Sequence, residues 1–129
     1  MKHLLLGVLA SLTLAGAALA QDPIFGTWKT EPDDGKYSYI EMKQCGAVIC
    51  GVAVKSFNES GEYASPVLGK QIVRNMKNDG DGQYSGEAWR PSNDKVYVGK
   101  ATLNGDKLRM KGCVLGGLIC FGQNWTRVN

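Results

Sequence analysis

Beyond residue 24 the chain is cut into short runs in which polar and apolar residues alternate, each run bounded by Gly, Asn, Asp or Pro. A period of two over four to ten residues is the signature of half-buried strands, and no segment carries the 3.6-residue period of a long helix. Eight strands are predicted, over residues 25–30, 37–44, 48–57, 70–77, 83–90, 95–103, 107–113 and 119–128. Turn-forming clusters separate them: Asp33-Asp34-Gly35, Cys45-Gly46-Ala47, Asn78 to Gly82, Ser92-Asn93-Asp94 and Asn104-Gly105-Asp106. Asn104-Gly105 is the strongest of these, because a two-residue hairpin turn needs positive φ at both central positions. Only residues 58–69 form a longer connection. Strands joined by tight turns pair antiparallel with their chain neighbours, and a meander of eight hides its edges by closing on itself. The predicted fold is therefore all-β, an eight-stranded antiparallel up-and-down barrel. A sandwich is the alternative, but it normally needs several long crossovers. Alternation assigns Trp28, Ile40, Met42, Val52, Val54, Ile72, Trp89, Val96, Val98, Leu108, Met110, Phe121 and Trp125 to the inner face. Such a barrel is either filled by its own side chains or keeps room for one small ligand.

The start of the chain reads differently. Lys2 and His3 precede an apolar run from residue 4 to 17, and Ala18-Leu19-Ala20 offers small residues in an A-x-A arrangement before Gln21-Asp22. This is the pattern of a cleaved signal peptide, predicted over residues 1–20, with one domain following over 21–129. The run is shorter than the roughly 20 apolar residues of a membrane span, and no Cys follows the cleavage point to carry a lipid. The expected location is periplasmic or secreted. Cleavage also removes His3, the sole histidine. Ser-His and Cys-His catalysis and imidazole-based zinc sites are thereby excluded from the mature chain. Lys2 leaves with it, so the formal net charge drops one unit below the +3 of the whole chain. Charges of both signs are scattered, and no basic stripe points to nucleic acid or to a membrane surface as a partner.

Four cysteines in a small exported domain read as disulfides. Cys45, Cys50, Cys113 and Cys120 admit three connectivities, and spacing favours the two short loops, Cys45 with Cys50 and Cys113 with Cys120. A four-cysteine zinc site is the rival, but the second pair's six-residue gap lies outside the usual knuckle spacing. The C-x-x-C of thioredoxin-type redox chemistry is absent. No metal or cofactor site is predicted.

Gly26-Thr27-Trp28 on the first strand and Trp125-Thr126-Arg127 on the last resemble the opening G-x-W and closing Arg of lipocalin-like barrels. An Arg over an indole face, worth roughly 0.5 to 2 kcal/mol, would close one end of the barrel where first and last strands meet. Residues 40–51 ending in Cys50-Gly51, residues 86–97 with Trp89, Pro91 and Tyr97, and Lys111-Gly112-Cys113 extend the likeness over nearly the whole mature chain. In that order the segments resemble DUF2147, a family of exported bacterial proteins of unknown function. The resemblance implies a small lipocalin-like barrel in the periplasm and no established activity. One departure stands out: an aspartate-proline step of the family pattern is here Arg90-Pro91, followed by Ser92 to Tyr97.

Chemistry-bearing candidates are few. Glu41 and Glu87 are the acids placed mid-strand, but alternation sets Glu41 opposite in phase to Ile40 and Met42, facing solvent. Asp79-Gly80-Asp81-Gly82 lacks the twelve-residue calcium-loop pattern and reads as a turn. Aromatic and sulfur side chains with a few polar handles are the usual make-up of a small-ligand site. The candidate ligand-binding set is Trp28, Met42, Arg74, Trp89, Tyr97, Met110, Phe121 and Trp125, with Arg74 placed inward by its phase with Ile72 and Met76. A non-enzymatic lipocalin-like protein binding a small, mostly apolar ligand is the expected function. The alternative is a protein-interaction module, such as an inhibitor of a lytic or proteolytic enzyme, using residues 58–69 for the contact.

Overall fold

A computed structural model describes residues 22–129. The expected signal segment lies outside the described residues. Nine strands follow in order: β1 (Gly26–Lys29), β2 (Tyr37–Cys45), β3 (Val48–Asn58), β4 (Gly61–Glu62), β5 (Gln71–Gly80), β6 (Gln83–Arg90), β7 (Lys95–Asn104), β8 (Lys107–Val114) and β9 (Ile119–Arg127). Eight of them reproduce the predicted strands with small shifts at the ends. The ninth, β4, is a two-residue hairpin arm that pairs with the end of β3 inside the long 58–69 connection. The eight long strands pair antiparallel in chain order, and β1 closes the ring by pairing with both β2 and β9. The result is a closed eight-stranded barrel. The hairpin forms one residue further on than expected: Asn104 pairs with Lys107, so Gly105 and Asp106 are the central residues, and of these only Gly105 has positive φ, at 61°.

Because consecutive strands run in opposite directions, the turns segregate to two ends. One end is shut. Ile24 and Trp28 are fully buried there, and the Trp28 indole donates to the Ile24 carbonyl at 2.9 Å. The Arg127 guanidinium lies 4.3 Å from the Trp28 ring centroid. It also donates to the carbonyls of Phe25 (3.0 Å) and Pro23 (2.8 Å) and to the Asp106 carboxylate (3.1 Å), which lashes the entering chain to the last strand. Asp22 extends the closure to the β5–β6 end by accepting from the Tyr84 hydroxyl at 2.7 Å and from Asn78 at 3.0 Å. Burial and the adjacent Asp22 carboxylate both hold the Tyr84 phenol well above its ordinary range. Trp28 and Arg127 thus form the closure that their resemblance implied.

Alternation misplaces several side chains. Val54, Val96 and Val98 are exposed and Val52 is half-buried, whereas Ile72 and Trp89, also half-buried, and exposed Phe121 border the open end. On β3 and β7 the inward positions belong to Gly51, Ala53, Gly99 and Ala101, all buried, while the neighbouring valines, Val52 and Val54 on β3 and Val96 and Val98 on β7, take the alternate positions. Small residues sit inside because large ones reach across from neighbours. A Cβ on Gly51 would come 2.6 Å from the Met42 sulfur and 2.9 Å from Ile40. Arg74 also departs from its predicted phase. Asn75 adopts φ 52° in a bulge between Arg74 and Lys77, which returns Met76 to the core together with Val73 and leaves Arg74 on the outer face.

The disulfides pair locally, Cys45 with Cys50 across the β2–β3 turn and Cys113 with Cys120 at the base of the β8–β9 turn. The first lies at the shut end and the second at the open end. Each constrains a short loop, worth about 2 kcal/mol in the chain-entropy treatment. The double substitution Cys45→Ser with Cys50→Ser is accordingly expected to lower the unfolding free energy by about 2 kcal/mol, read from the urea midpoint at unchanged slope.

Candidate functional site

The open end of the barrel is a cup of about 1100 Å³. Its depth exists because small residues occupy the inward positions above the core: Ala88 beyond buried Tyr84 on β6, and Gly112 beyond Met110 on β8. Tyr97 uses the space left by Gly112, its Cβ lying 3.2 Å from where a Gly112 side chain would begin. Ile40, Ile72, Met110 and Trp125 make the apolar wall, and Ser38 and Ser56, hydrogen-bonded to each other at 2.9 Å, place two hydroxyls within it. The Trp125 indole donates to Gln123 Oε1 at 2.7 Å.

Of the predicted ligand-binding residues, Trp89, Tyr97, Met110, Phe121 and Trp125 line this cup. Trp28 and Met42 do not. Both are buried among core side chains below it, Trp28 as the plug and Met42 packed over Gly51. Arg74 is outside as well, 5.8 Å from the Trp89 ring centroid on the outer surface. Trp89 stands at the rim, its indole donating to Asp94 at 2.9 Å and the Lys70 ammonium 5.7 Å from its ring. Glu41 sits on the outer face near Lys43 at 4.0 Å, and Glu87 accepts from Asn75 at 3.2 Å. The two mid-strand acids therefore do not face each other.

The β1–β2 connection, residues 30–36, folds over the mouth as a strap. Arg90, at the inward phase of β6, grips Asp33 with two parallel hydrogen bonds, Nε at 2.8 Å and Nη2 at 2.9 Å, and the Ser92 hydroxyl adds a third at 3.3 Å. β1 and β6 stand half the ring apart, so this pair spans the opening. The strap is tied to β9 too, where Glu31 donates its amide to Gln123 at 3.2 Å and its carboxylate accepts from the Asn124 amide. The hydrogen bonds from Arg90 outweigh partial burial and lower the Asp33 pKa, while Asp33 raises that of Arg90. Asp33 and Ser92 were legible in sequence only as turn residues, since their partners lie far away along the chain. Arg90 carried a signal, sharing phase with Tyr84 and Ala88 and standing at the position that departs from the family pattern.

The sign of the pH dependence follows. A carboxyl whose folded pKa is depressed stabilises the strap above the unfolded carboxylate pKa of about 3.9, and that contribution disappears as pH falls through the lower folded value. The strap is therefore expected to hold at neutral pH and to loosen only in acid. Arg90→Gln is expected to return the Asp33 titration to the ordinary carboxylate range, measurable by NMR of the Asp33 side-chain carbon.

Comparison with known proteins adds three findings. The profile of DUF2147, described as an uncharacterized protein conserved in bacteria, matches residues 26–127. None of the curated proteins compared with it matches this chain. Among solved structures, the barrel is similar to protein HP1028 from Helicobacter pylori, described as belonging to the lipocalin family. That likeness has a TM-score of 0.65 at 16% sequence identity, over 84% of this chain and 85% of the other.

Proposed function

Starting from a chain that belongs to the DUF2147 family and folds as a lipocalin-like barrel, we propose that it is a non-enzymatic binding protein for a small, mostly apolar ligand held in the cup. The observation that carries this reading is the cup of about 1100 Å³ with an apolar wall and a polar strapped mouth. Small-ligand sites commonly enclose about 300 to 1,000 Å³ with a few placed polar groups. An apolar body would lie against Ile72, Met110 and Trp125, and a polar end would meet Lys70 and Arg90 at the rim. Residues 58–69 serve the same reading. They fold back on the barrel through hydrogen bonds from Tyr63 to Ser56 and from Gly69 to Ala53, and Tyr63, Ser65 and Val67 become part of the cup wall. A periplasmic or secreted location suits two disulfides in so small a domain.

Titration with a fluorescent fatty acid tests the proposal. Saturable uptake is expected, displaced by unlabelled fatty acid, and Ala88→Trp, which fills the cup, is expected to weaken it by about tenfold or more, or 1.4 kcal/mol per factor of ten. Absence of both uptake and any copurified molecule in native mass spectrometry would sink it.

A further inference from the structure

The β8–β9 turn beside the cup presents apolar side chains outside the barrel core, Leu115, Leu118 and Ile119, next to Phe121 at the cup's edge. Leu115, Gly116 and Gly117 pass through three consecutive left-handed conformations, at φ 55°, 67° and 96°. A bulky leucine is uncommon there, and the conformation turns its side chain into solvent. Leu115 is 68% exposed, Leu118 85% and Phe121 66%, with Ile119 also exposed between them. The Cys113–Cys120 disulfide clamps the base of this tip. An exposed apolar cluster of this kind marks a docking surface.

Charge identifies the occupant. Directly behind the tip, Lys100 of β7 is the cross-strand partner of Lys111 of β8, and Arg109 follows two pairs further along on the same face, opposite Thr102. Like charges placed opposite each other are unfavourable in a sheet. Among the described residues, none of the three lies within salt-bridge distance of a carboxylate. The Lys100 ammonium reaches toward Gly117, 3.3 Å from where a side chain there would begin, so the cation sits against the apolar tip. An apolar tip that inserts and a basic flank that stays outside is the arrangement of a protein resting on anionic lipid. A second copy of the chain docking symmetrically here would bring the two basic flanks together.

We infer that the β8–β9 tip docks the barrel on an anionic lipid surface, mouth side down, with the leucines among the acyl chains and Lys100 and Lys111 against the headgroups. The surface exists whether or not the cup is loaded, so its test is separable from that of ligand binding. The protein is sedimented with vesicles of phosphatidylethanolamine and phosphatidylglycerol, and with vesicles of phosphatidylcholine alone. Binding is expected to the first and to be lost in high salt. Leu115→Ser with Leu118→Ser is expected to reduce it by about tenfold or more, and Lys100→Gln with Lys111→Gln by about tenfold. All four side chains are away from the core, and an unchanged urea midpoint confirms that each variant is folded. Ala88→Trp, which blocks the cup, is expected to leave vesicle binding intact. The inference is overturned if phosphatidylglycerol vesicles are not bound, if the leucine pair leaves binding unchanged, or if sedimentation velocity shows a dimer that the leucine pair dissolves.

Discussion

Trp28→Ala is expected to lower the unfolding free energy by about 3 to 5 kcal/mol, the range for truncating a large buried aromatic. Trp28 is fully buried, and its indole both satisfies the Ile24 carbonyl and supports the Arg127 guanidinium. Its removal leaves a cavity under a cation whose remaining partners are two backbone carbonyls and Asp106. Small domains are stable by only about 5 to 15 kcal/mol, so a large part of the margin would go. Trp28→Phe keeps most of the volume and loses the donor, and should cost distinctly less. Urea unfolding of both variants checks the expectation. A loss below about 1 kcal/mol for the alanine variant would mean that the plug contributes little.

Gly86→Ala is the second large effect, expected to cost about 3 kcal/mol, at the upper end for overpacking. Gly86 faces the β5 bulge, where two residues, Asn75 and Met76, oppose one on β6. A Cβ at Gly86 would lie 2.6 Å from the Met76 Cα and 2.8 Å from the Arg74 carbonyl oxygen. These are backbone atoms, so no rotamer change relieves the clash and β5 must move away from β6. Gly46→Ala offers a contrast, because nothing stands within 4 Å of that position and the cost is confined to its φ of 65°. Parallel urea titrations of the two variants separate crowding from backbone conformation.

The same bulge explains where the sequence was readable. Strand positions were legible because turn residues such as Asn104-Gly105 and Asp33-Asp34-Gly35 mark the chain directions locally. Inner and outer faces were legible only where the inward residue is the larger one, as at Ile40, Met42, Leu108 and Trp125. On β7 the order is reversed, with Gly99 and Ala101 inside and Val96 and Val98 outside, and hydropathy then points to the wrong face. Arg74 was misplaced for another reason: an extra residue in β5 breaks the period of two, and no local signal marks it beyond Asn75, a residue type that tolerates positive φ. In the cup, Tyr97, Met110, Phe121 and Trp125 could be proposed from residue type. The Asp33 to Arg90 strap could not, since it joins residues 57 apart across the barrel mouth.

The ring is joined unevenly, and this bears on how it forms. β1 contributes four residues and meets β9 through only two register pairs, Trp28 with Arg127 and Lys29 with Thr126. Every other junction between the long strands links chain neighbours, whereas this one links the two ends of the domain. Contacts of such sequence separation form late, because the chain entropy of bringing the ends together must be overcome before they add stability. In a chain made from its N-terminus, β1 has β2 as a partner early but can meet β9 only after every other strand has been made. The seam that completes the ring thus depends on its last strand, since both of its register pairs and the Arg127 contact to Trp28 need β9 in place.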